Sequence, residues 1–364
     1  MTATLRSRVL PTYARLDVTF VEGDGTWLVD DNGKRYLDCF AGIAVVGLGH
    51  GHAAPLAAAH AQLDKLWHVS NLYWTEPMEQ LAAKLSERFG GARAFFCNSG
   101  AESVEAALKW ARKATGRSEF VALDGSFHGR TFGALSVTGQ PAKRAAFEPL
   151  VPGAKFGLEH VGPETAAILL EPVQGEGGVH PLPAGMLAHA RALADEHGAL
   201  LILDEVQTGV GRTGEFFAWQ REGVQPDAVT LAKGLANGLP IGALLVADSA
   251  PEGFEPGDHA STFGGNPVAC AAACAVVDAI DEDLLAHVRK VSKIFADGLG
   301  ETRGAGLLLA LDIDRPAQEV VEAALANGLV IGSAGPTTLR LTPPLTITED
   351  EAGLAIQLLS EVLA

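Results

Sequence analysis

Residues 199–209 read Ala199-Leu200-Leu201-Ile202-Leu203-Asp204-Glu205-Val206-Gln207-Thr208-Gly209, an unbroken apolar run that ends on a carboxylate. An apolar run of this length, closed by acidic residues and glycine, marks a strand covered on both faces, as in parallel sheets. The same pattern recurs at residues 94–97, 120–123, 166–170, 228–231 and 242–247. Helical stretches such as 102–115 and 187–197 lie between these runs. Strand, helix and strand in alternation predict an α/β fold with a mostly parallel central sheet and helices on both sides.

Outside this region the pattern changes. Residues 18–29 and 35–37, separated by Asp30-Asp31-Asn32-Gly33-Lys34, predict an antiparallel hairpin. Beyond the sheet, one helix is expected over 266–299, then strands at 307–312 and 338–341 flanking a helix at 317–327. The chain closes with a helix over 348–363, opened by the capping box Thr348-Glu349-Asp350-Glu351. The expected organisation is a large domain over 51–265 and a small α+β domain assembled from 1–50 and 266–364.

Composition narrows the function classes. At 364 residues, two domains are expected on a rule of about 150 residues each. Lys+Arg 27 against Asp+Glu 44 gives a net charge of −17, which argues against nucleic acid or an anionic membrane as partner. The longest apolar run, Val268 to Val277, is too short to span a bilayer. Residues 1–20 lack the basic and apolar segments of a secretory signal. Cys39, Cys97, Cys270 and Cys274 show no CxxC spacing and are read as reduced thiols in a cytoplasmic protein, with no metal site. Between Phe156 and Arg289 there is a single lysine, Lys233.

In an open parallel sheet, ligands sit beyond the carboxyl ends of the strands, so residues just after each strand are informative. Asn98-Ser99-Gly100-Ala101-Glu102 runs directly into a helix, whose free N–H groups and dipole favour an anion such as phosphate. Taken alone, a serine cap on a glycine turn explains it as well. Asp124-Gly125-Ser126-Phe127-His128-Gly129-Arg130-Thr131 gathers an aromatic ring, an imidazole and a guanidinium in one loop. Asp204 ends an apolar strand, where a carboxylate needs a cationic partner. Lys233 ends the next, and a partly buried lysine becomes a nucleophilic amine. Asp204 and Lys233 could form a structural ion pair or flank one cofactor. A phosphate cradle, an aromatic plate, a carboxylate and a lysine together match the needs of pyridoxal 5'-phosphate.

Two other motifs point elsewhere. Gly209-Val210-Gly211-Arg212-Thr213-Gly214 matches GxGxxG, yet Asp204-Glu205-Val206-Gln207-Thr208 intervenes between it and the apolar run, and no long helix is expected after it. A loop role is therefore expected in place of a nicotinamide or flavin site. His50-Gly51-His52 lacks a third ligand in a matching pattern, so a loop role is expected there too.

With these residues in order, the chain resembles the class III, ornithine-type pyridoxal-phosphate aminotransferases, and among them the acetylornithine aminotransferases. The resemblance spans nearly the whole chain. It is carried by Asn98-Ser99-Gly100, Phe127-His128-Gly129-Arg130-Thr131, Glu171-Pro172-Val173-Gln174-Gly175-Glu176-Gly177-Gly178, Leu203 to Gly209, and Thr262-Phe263-Gly264-Gly265-Asn266-Pro267. It implies the type I fold of pyridoxal-phosphate enzymes and a homodimer with shared active sites. It implies that Lys233 holds the cofactor's aldehyde carbon and then moves the substrate proton, while Asp204 keeps the pyridine nitrogen protonated. Phe127 and Val206 would lie against the two ring faces and Gln207 would reach the ring hydroxyl. Ser99, Gly100 and Ala101 would bind the phosphate, joined by Thr262 of the second subunit. Arg130 would clamp a substrate carboxylate, Ser261 would line the acyl end, and Glu176 would cover Arg340 until a second carboxylate arrives. The implied reaction is ping-pong transfer of an ω-amino group from N2-acetyl-L-ornithine to 2-oxoglutarate.

The departures from the family pattern are Ala101 where threonine is common, Ser103-Val104 for the usual Ala-Asn, and short segments at 149–163 and 298–306. Alternative donors are succinylornithine or succinyldiaminopimelate, ornithine, 4-aminobutyrate, and carrier-protein-linked lysine or ornithine. Different reactions on the same scaffold are those of an aminomutase or racemase, and a cofactor-free binding protein is the remaining alternative.

Overall fold

A computed structural model describes residues 8–364. Part of the expected N-terminal segment, residues 1–7, lies outside the described residues. The centre is a seven-stranded sheet in the order Ala92–Cys97, Gly242–Ala247, Ala228–Leu231, Leu200–Asp204, Thr165–Leu170, Glu119–Ala122, Ala154–Phe156. Gly242–Ala247 runs antiparallel to both neighbours, and the other pairings are parallel. The strands Thr165–Leu170, Leu200–Asp204 and Ala228–Leu231 are buried at every position, as their continuous apolar runs require. Register aligns Leu203 with Leu170 and Asp204 with Thr230, so the carboxyl ends of these strands finish at one edge. The three-residue strand Ala154–Phe156 was not expected; Ala-Lys-Phe is too short to show a period.

The helix Gly100–Thr115 packs on this sheet with seven buried residues along one face. It starts two residues earlier than expected, because Ser99 is the cap: its Oγ accepts from the Glu102 N–H at 3.3 Å.

The two chain ends meet in a four-stranded sheet. Phe20–Asp24, Trp27–Asp30 and Arg35–Asp38 form an antiparallel meander, and Leu329–Val330 joins it parallel to the last strand. The expected hairpin is thus a three-stranded unit, because Gly25 turns the chain at positive φ within what reads as one strand. Glu351 of the closing helix, Glu349–Leu363, accepts from Thr26 Oγ1 at 2.5 Å and Trp27 Nε1 at 2.8 Å. The expected capping box is present, with Thr348 and Glu351 exchanging bonds. A second sheet orders Thr302–Ala305, Leu308–Asp312, Thr338–Leu341 and Gly332–Ser333.

The long helix expected over 266–299 is two helices, Pro267–Ala279 and Glu282–Leu299. Asp281 breaks it by adopting extended backbone and accepting from the Leu284 N–H at 2.9 Å. Among the described residues no helix is long and apolar enough to cross a membrane. Replacing Asp281 with Ala should lower the midpoint of chemical denaturation, at a cost of about 1 kcal/mol typical of a lost N-cap; an unchanged midpoint would show that the break does not depend on this cap.

Candidate active site

The strand ends open onto a cavity of about 390 Å³. Ser99, Gly100, Ala101, Phe127, Arg130, Glu176, Asp204, Val206, Gln207 and Lys233 all line it, so ten of the residues singled out in the sequence come together.

Asp204 is buried at the end of its strand, and both oxygens are satisfied. Oδ1 accepts from Thr230 Oγ1 at 2.9 Å and from the Val206 N–H at 3.1 Å, and Oδ2 accepts from His128 Nδ1 at 2.7 Å. The bond to an acceptor-only carboxylate places a proton on Nδ1 of His128. The other ring nitrogen of His128 is buried with no hydrogen-bond partner among the described residues. The sequence marks this imidazole without a role and carries no signal for Thr230, which stands opposite Asp204 in the strand register.

Lys233 follows the strand Ala228–Leu231 in a short 3-10 turn, with its backbone held at φ +43°. A non-glycine residue in this region is strained, and such strain concentrates at functional sites. Burial, aided by the Arg340 charge, pulls the amine pKa down to about 8, against the opposing pull of Asp204, Glu171 and Glu176. The amine is therefore uncharged in about a tenth of molecules at pH 7 and in about half near pH 8.

Gly100 and Ala101 begin the helix beside the cavity. A Cβ on Gly100 would stand 2.7 Å from Val206 Cγ1, so only glycine keeps this opening clear. Gly129 is at φ +138°, and a Cβ there would meet Ala101 Cβ at 2.8 Å. The two glycines keep a helix N-terminus bare at the cavity wall, where an anionic group is favoured.

A second buried carboxylate, Glu171, also lines the cavity and was passed over in the sequence as part of a motif. It accepts from the Phe127 N–H at 2.9 Å and the Gly175 N–H at 3.3 Å, tying together the two loops that carry Phe127 and Glu176. Burial raises its pKa to about 7. Glu176 Oε2 accepts from Arg340 Nη1 at 3.2 Å, and Arg340 also donates to Gly175 O at 3.3 Å and Gln207 Oε1 at 3.4 Å. Arg340 lies behind Glu176, on the strand Thr338–Leu341. Arg130 is exposed at the rim, its guanidinium 5.5 Å from the Phe127 ring centroid.

The remaining expectations fall outside the wall. Ser261 reaches it through Asn98, whose Nδ2 donates to Ser261 Oγ at 3.0 Å. Thr262 is exposed and does not join its own chain's cavity. The GxGxxG segment makes successive turns and leads into the 3-10 turn Ala218–Arg221. Buried Glu205 organises it, accepting from the Ala218 and Trp219 N–H groups at 3.0 Å and from Thr208 Oγ1 at 2.7 Å. His50 Nε2 bonds Asp38 Oδ2 at 2.8 Å, and His52 accepts from the Ala54 N–H at 3.4 Å to cap a helix. All four cysteines are buried free thiols.

Comparison with known proteins matches this geometry to a family. The model of the family described as aminotransferase class-III matches residues 11–363. The chain is a class III aminotransferase. The acetylornithine aminotransferase of Corynebacterium efficiens is 47% identical over 98% of this chain and 95% of its own. The structure of ornithine aminotransferase from Toxoplasma gondii, with partial occupancy of PLP at its active site, superposes with a TM-score of 0.93. It is 31% identical and covers 99% of this chain and 93% of its own. N-acetylornithine aminotransferase from Stenotrophomonas maltophilia K279a gives a TM-score of 0.80 at 35% identity, with 97% of each chain covered. As in other class III aminotransferases, the architecture is the type I fold of pyridoxal-phosphate enzymes.

The cavity of this class III aminotransferase fits such a cofactor on its own terms. It offers a bare helix N-terminus for a phosphate, a buried carboxylate for a cationic ring nitrogen, an aromatic and a branched apolar wall, and an amine of lowered pKa. Reductive trapping of pyridoxal phosphate on Lys233 of the cofactor-free protein should accelerate as pH rises, with a midpoint near 8, because only the uncharged amine attacks an aldehyde. Peptide mapping across a pH series checks this, and a midpoint near the ordinary lysine value of 10.5 would contradict the electrostatics.

Proposed function

We propose that this aminotransferase acts on N2-acetyl-L-ornithine, passing its ω-amino group to 2-oxoglutarate to give N-acetylglutamate semialdehyde and glutamate, a step of arginine biosynthesis. The observation that carries the reading is the Glu176–Arg340 pair at 3.2 Å. A ping-pong enzyme must accept two unlike substrates in one cavity. With an ω-amine donor, Glu176 stays on Arg340 and cancels its charge. With a dicarboxylate, Glu176 withdraws and Arg340 receives the second carboxylate, a bidentate task that suits a guanidinium. The relative at 47% identity, itself an acetylornithine aminotransferase, supports the choice of donor.

Pyridoxal phosphate, held by Lys233, would supply the electron sink that stabilises negative charge at the substrate carbon. The chain's own groups do the rest. Asp204, positioned by His128 and Thr230, would hold its negative charge against the ring nitrogen and keep a proton there. Lys233 would hold the cofactor, and its amine would move the proton of the substrate's amine-bearing carbon, a task suited to an amine whose pKa is about 8. Ser99, Gly100 and Ala101 would hold the phosphate, Phe127 and Val206 would lie against the ring, and Gln207 would reach its hydroxyl. Arg130 holds the donor's α-carboxylate, and Ser261 borders the acyl end.

A second copy of the chain completes the site by supplying Thr262 to the phosphate. Support comes from the exposure of Thr262 and from the apolar residues Trp67, Leu72, Tyr73, Trp74 and Phe263, which stand 62–87% exposed. A large exposed apolar set of this kind marks a protein interface. The cytoplasm is the compartment that best suits four buried free thiols.

Steady-state kcat/KM measured for N-acetylornithine, N-succinylornithine, N-succinyldiaminopimelate, ornithine and 4-aminobutyrate, each with 2-oxoglutarate, tests the assignment. N-acetylornithine should lead by about tenfold or more, the scale of one well-placed apolar or polar contact. A preference for another donor would reassign the substrate, and turnover without any oxo acid would favour an aminomutase. Lys233→Ala should abolish both covalent cofactor attachment and transamination.

A further inference from the structure

Glu176 stands between two cations. Its Oε2 accepts from Arg340 Nη1 at 3.2 Å and its Oε1 from Lys143 Nζ at 2.9 Å. The two come from unrelated parts of the chain: Arg340 from the buried strand Thr338–Leu341, Lys143 from the short helix Pro141–Arg144. The Lys143 ammonium also lies 4.9 Å from the centroid of the Phe127 ring, so it is anchored to the cavity wall as well as to the carboxylate. Burial alone would raise the Glu176 carboxyl, but Arg340 and Lys143 outweigh it and hold it below its usual range.

One cation suffices to neutralise one carboxylate, so for a static Glu176–Arg340 pair Lys143 is surplus. It has a use if the pair must open. A carboxylate that lost Arg340 to an incoming substrate would be left unpaired in a half-buried pocket, beside a second negative charge, and an unpaired buried charge is costly. Arg340 is itself ready for a new partner, since its Nε is buried without a hydrogen bond among the described residues.

We propose that Lys143 is the counter-ion that retains Glu176 when a substrate carboxylate takes Arg340, and that it thereby sets how readily the site accepts a dicarboxylic substrate. The proposal rests on the two-substrate reading above. Lys143 acts through Glu176 and is a positioning residue, with no contact of its own to the reacting atoms. Without it, Glu176 has Arg340 as its remaining cation among these two, the pair locks, and dicarboxylates must compete against it.

The two half-reactions, measured separately in single turnovers of the holoenzyme, distinguish this role. Lys143→Met should raise the half-saturating concentration of 2-oxoglutarate about tenfold, or about 1.4 kcal/mol. The donor half-reaction and both limiting rates should stay within about twofold, under 0.5 kcal/mol. Glutarate, a dicarboxylate that cannot react, should lose inhibition by the same factor, and Lys143→Arg should restore both values. In a Glu176→Gln background, where no charge needs retaining, Lys143→Met should change nothing further. Equal losses in both half-reactions, no loss in either, or the same rise in the Glu176→Gln background would overturn the proposal; the last would mean that Lys143 holds the substrate carboxylate itself. A wild-type enzyme inert toward 2-oxoglutarate would refute the parent reading before any Lys143 variant was made.

Discussion

The site depends on one constraint: a carboxylate, Asp204, is held by three hydrogen-bond donors at the end of a buried strand. Its three donors, Thr230 Oγ1, the Val206 N–H and His128 Nδ1, come from the next strand, the following turn and a separate loop. Each fixes the others. The parallel register that pairs Asp204 with Thr230 aligns the neighbouring strand ends, and with them the point where Lys233 leaves the sheet. The His128 bond pins the loop that bears Phe127 and Arg130, and the Val206 bond sets the turn that bears Gln207.

Around this carboxylate the charges are arranged in layers. Glu171 is buried beside it with a pKa raised to about 7, so the inner cavity tolerates less than the full formal negative charge near neutral pH. Lys233, brought down to about 8, likewise carries less than its full positive charge. Farther out, the partly exposed Glu176 and Lys143 join the buried Arg340 in an ionic cluster. The inner groups suit proton transfer, since their pKa values lie close to neutrality. The outer ones keep their charges and can exchange partners, which suits discrimination between substrates.

Much of this was legible in the sequence because burial on both faces leaves continuous apolar runs, and the functional side chains follow those runs directly. Asp204, Lys233 and the Ser99-Gly100-Ala101 turn were found in that way. Glu171 obeys the same rule, one residue past Leu170, and was overlooked because its motif was read as a block. His128 was visible, but its partner could be known only from the register and loop path. Lys143 left no signal: it approaches Glu176 across 33 residues of sequence from a short helix with no periodic pattern. The misread elements have local causes. Gly25 turns the chain within an apparent strand, and Asp281 caps a new helix within an apparent continuous one. Thr262, singled out from the sequence, is exposed and lies outside the wall of its own chain's cavity.

We propose that the negative charge of Asp204 would keep the ring nitrogen of a bound pyridoxal phosphate protonated inside this cavity. The 15N chemical shift of the ring nitrogen in bound, labelled pyridoxal phosphate measures that directly, in the wild-type protein and in Asp204→Asn at neutral pH. A protonated nitrogen is expected in the wild type and an unprotonated one in the variant. The same shift in both proteins would contradict it.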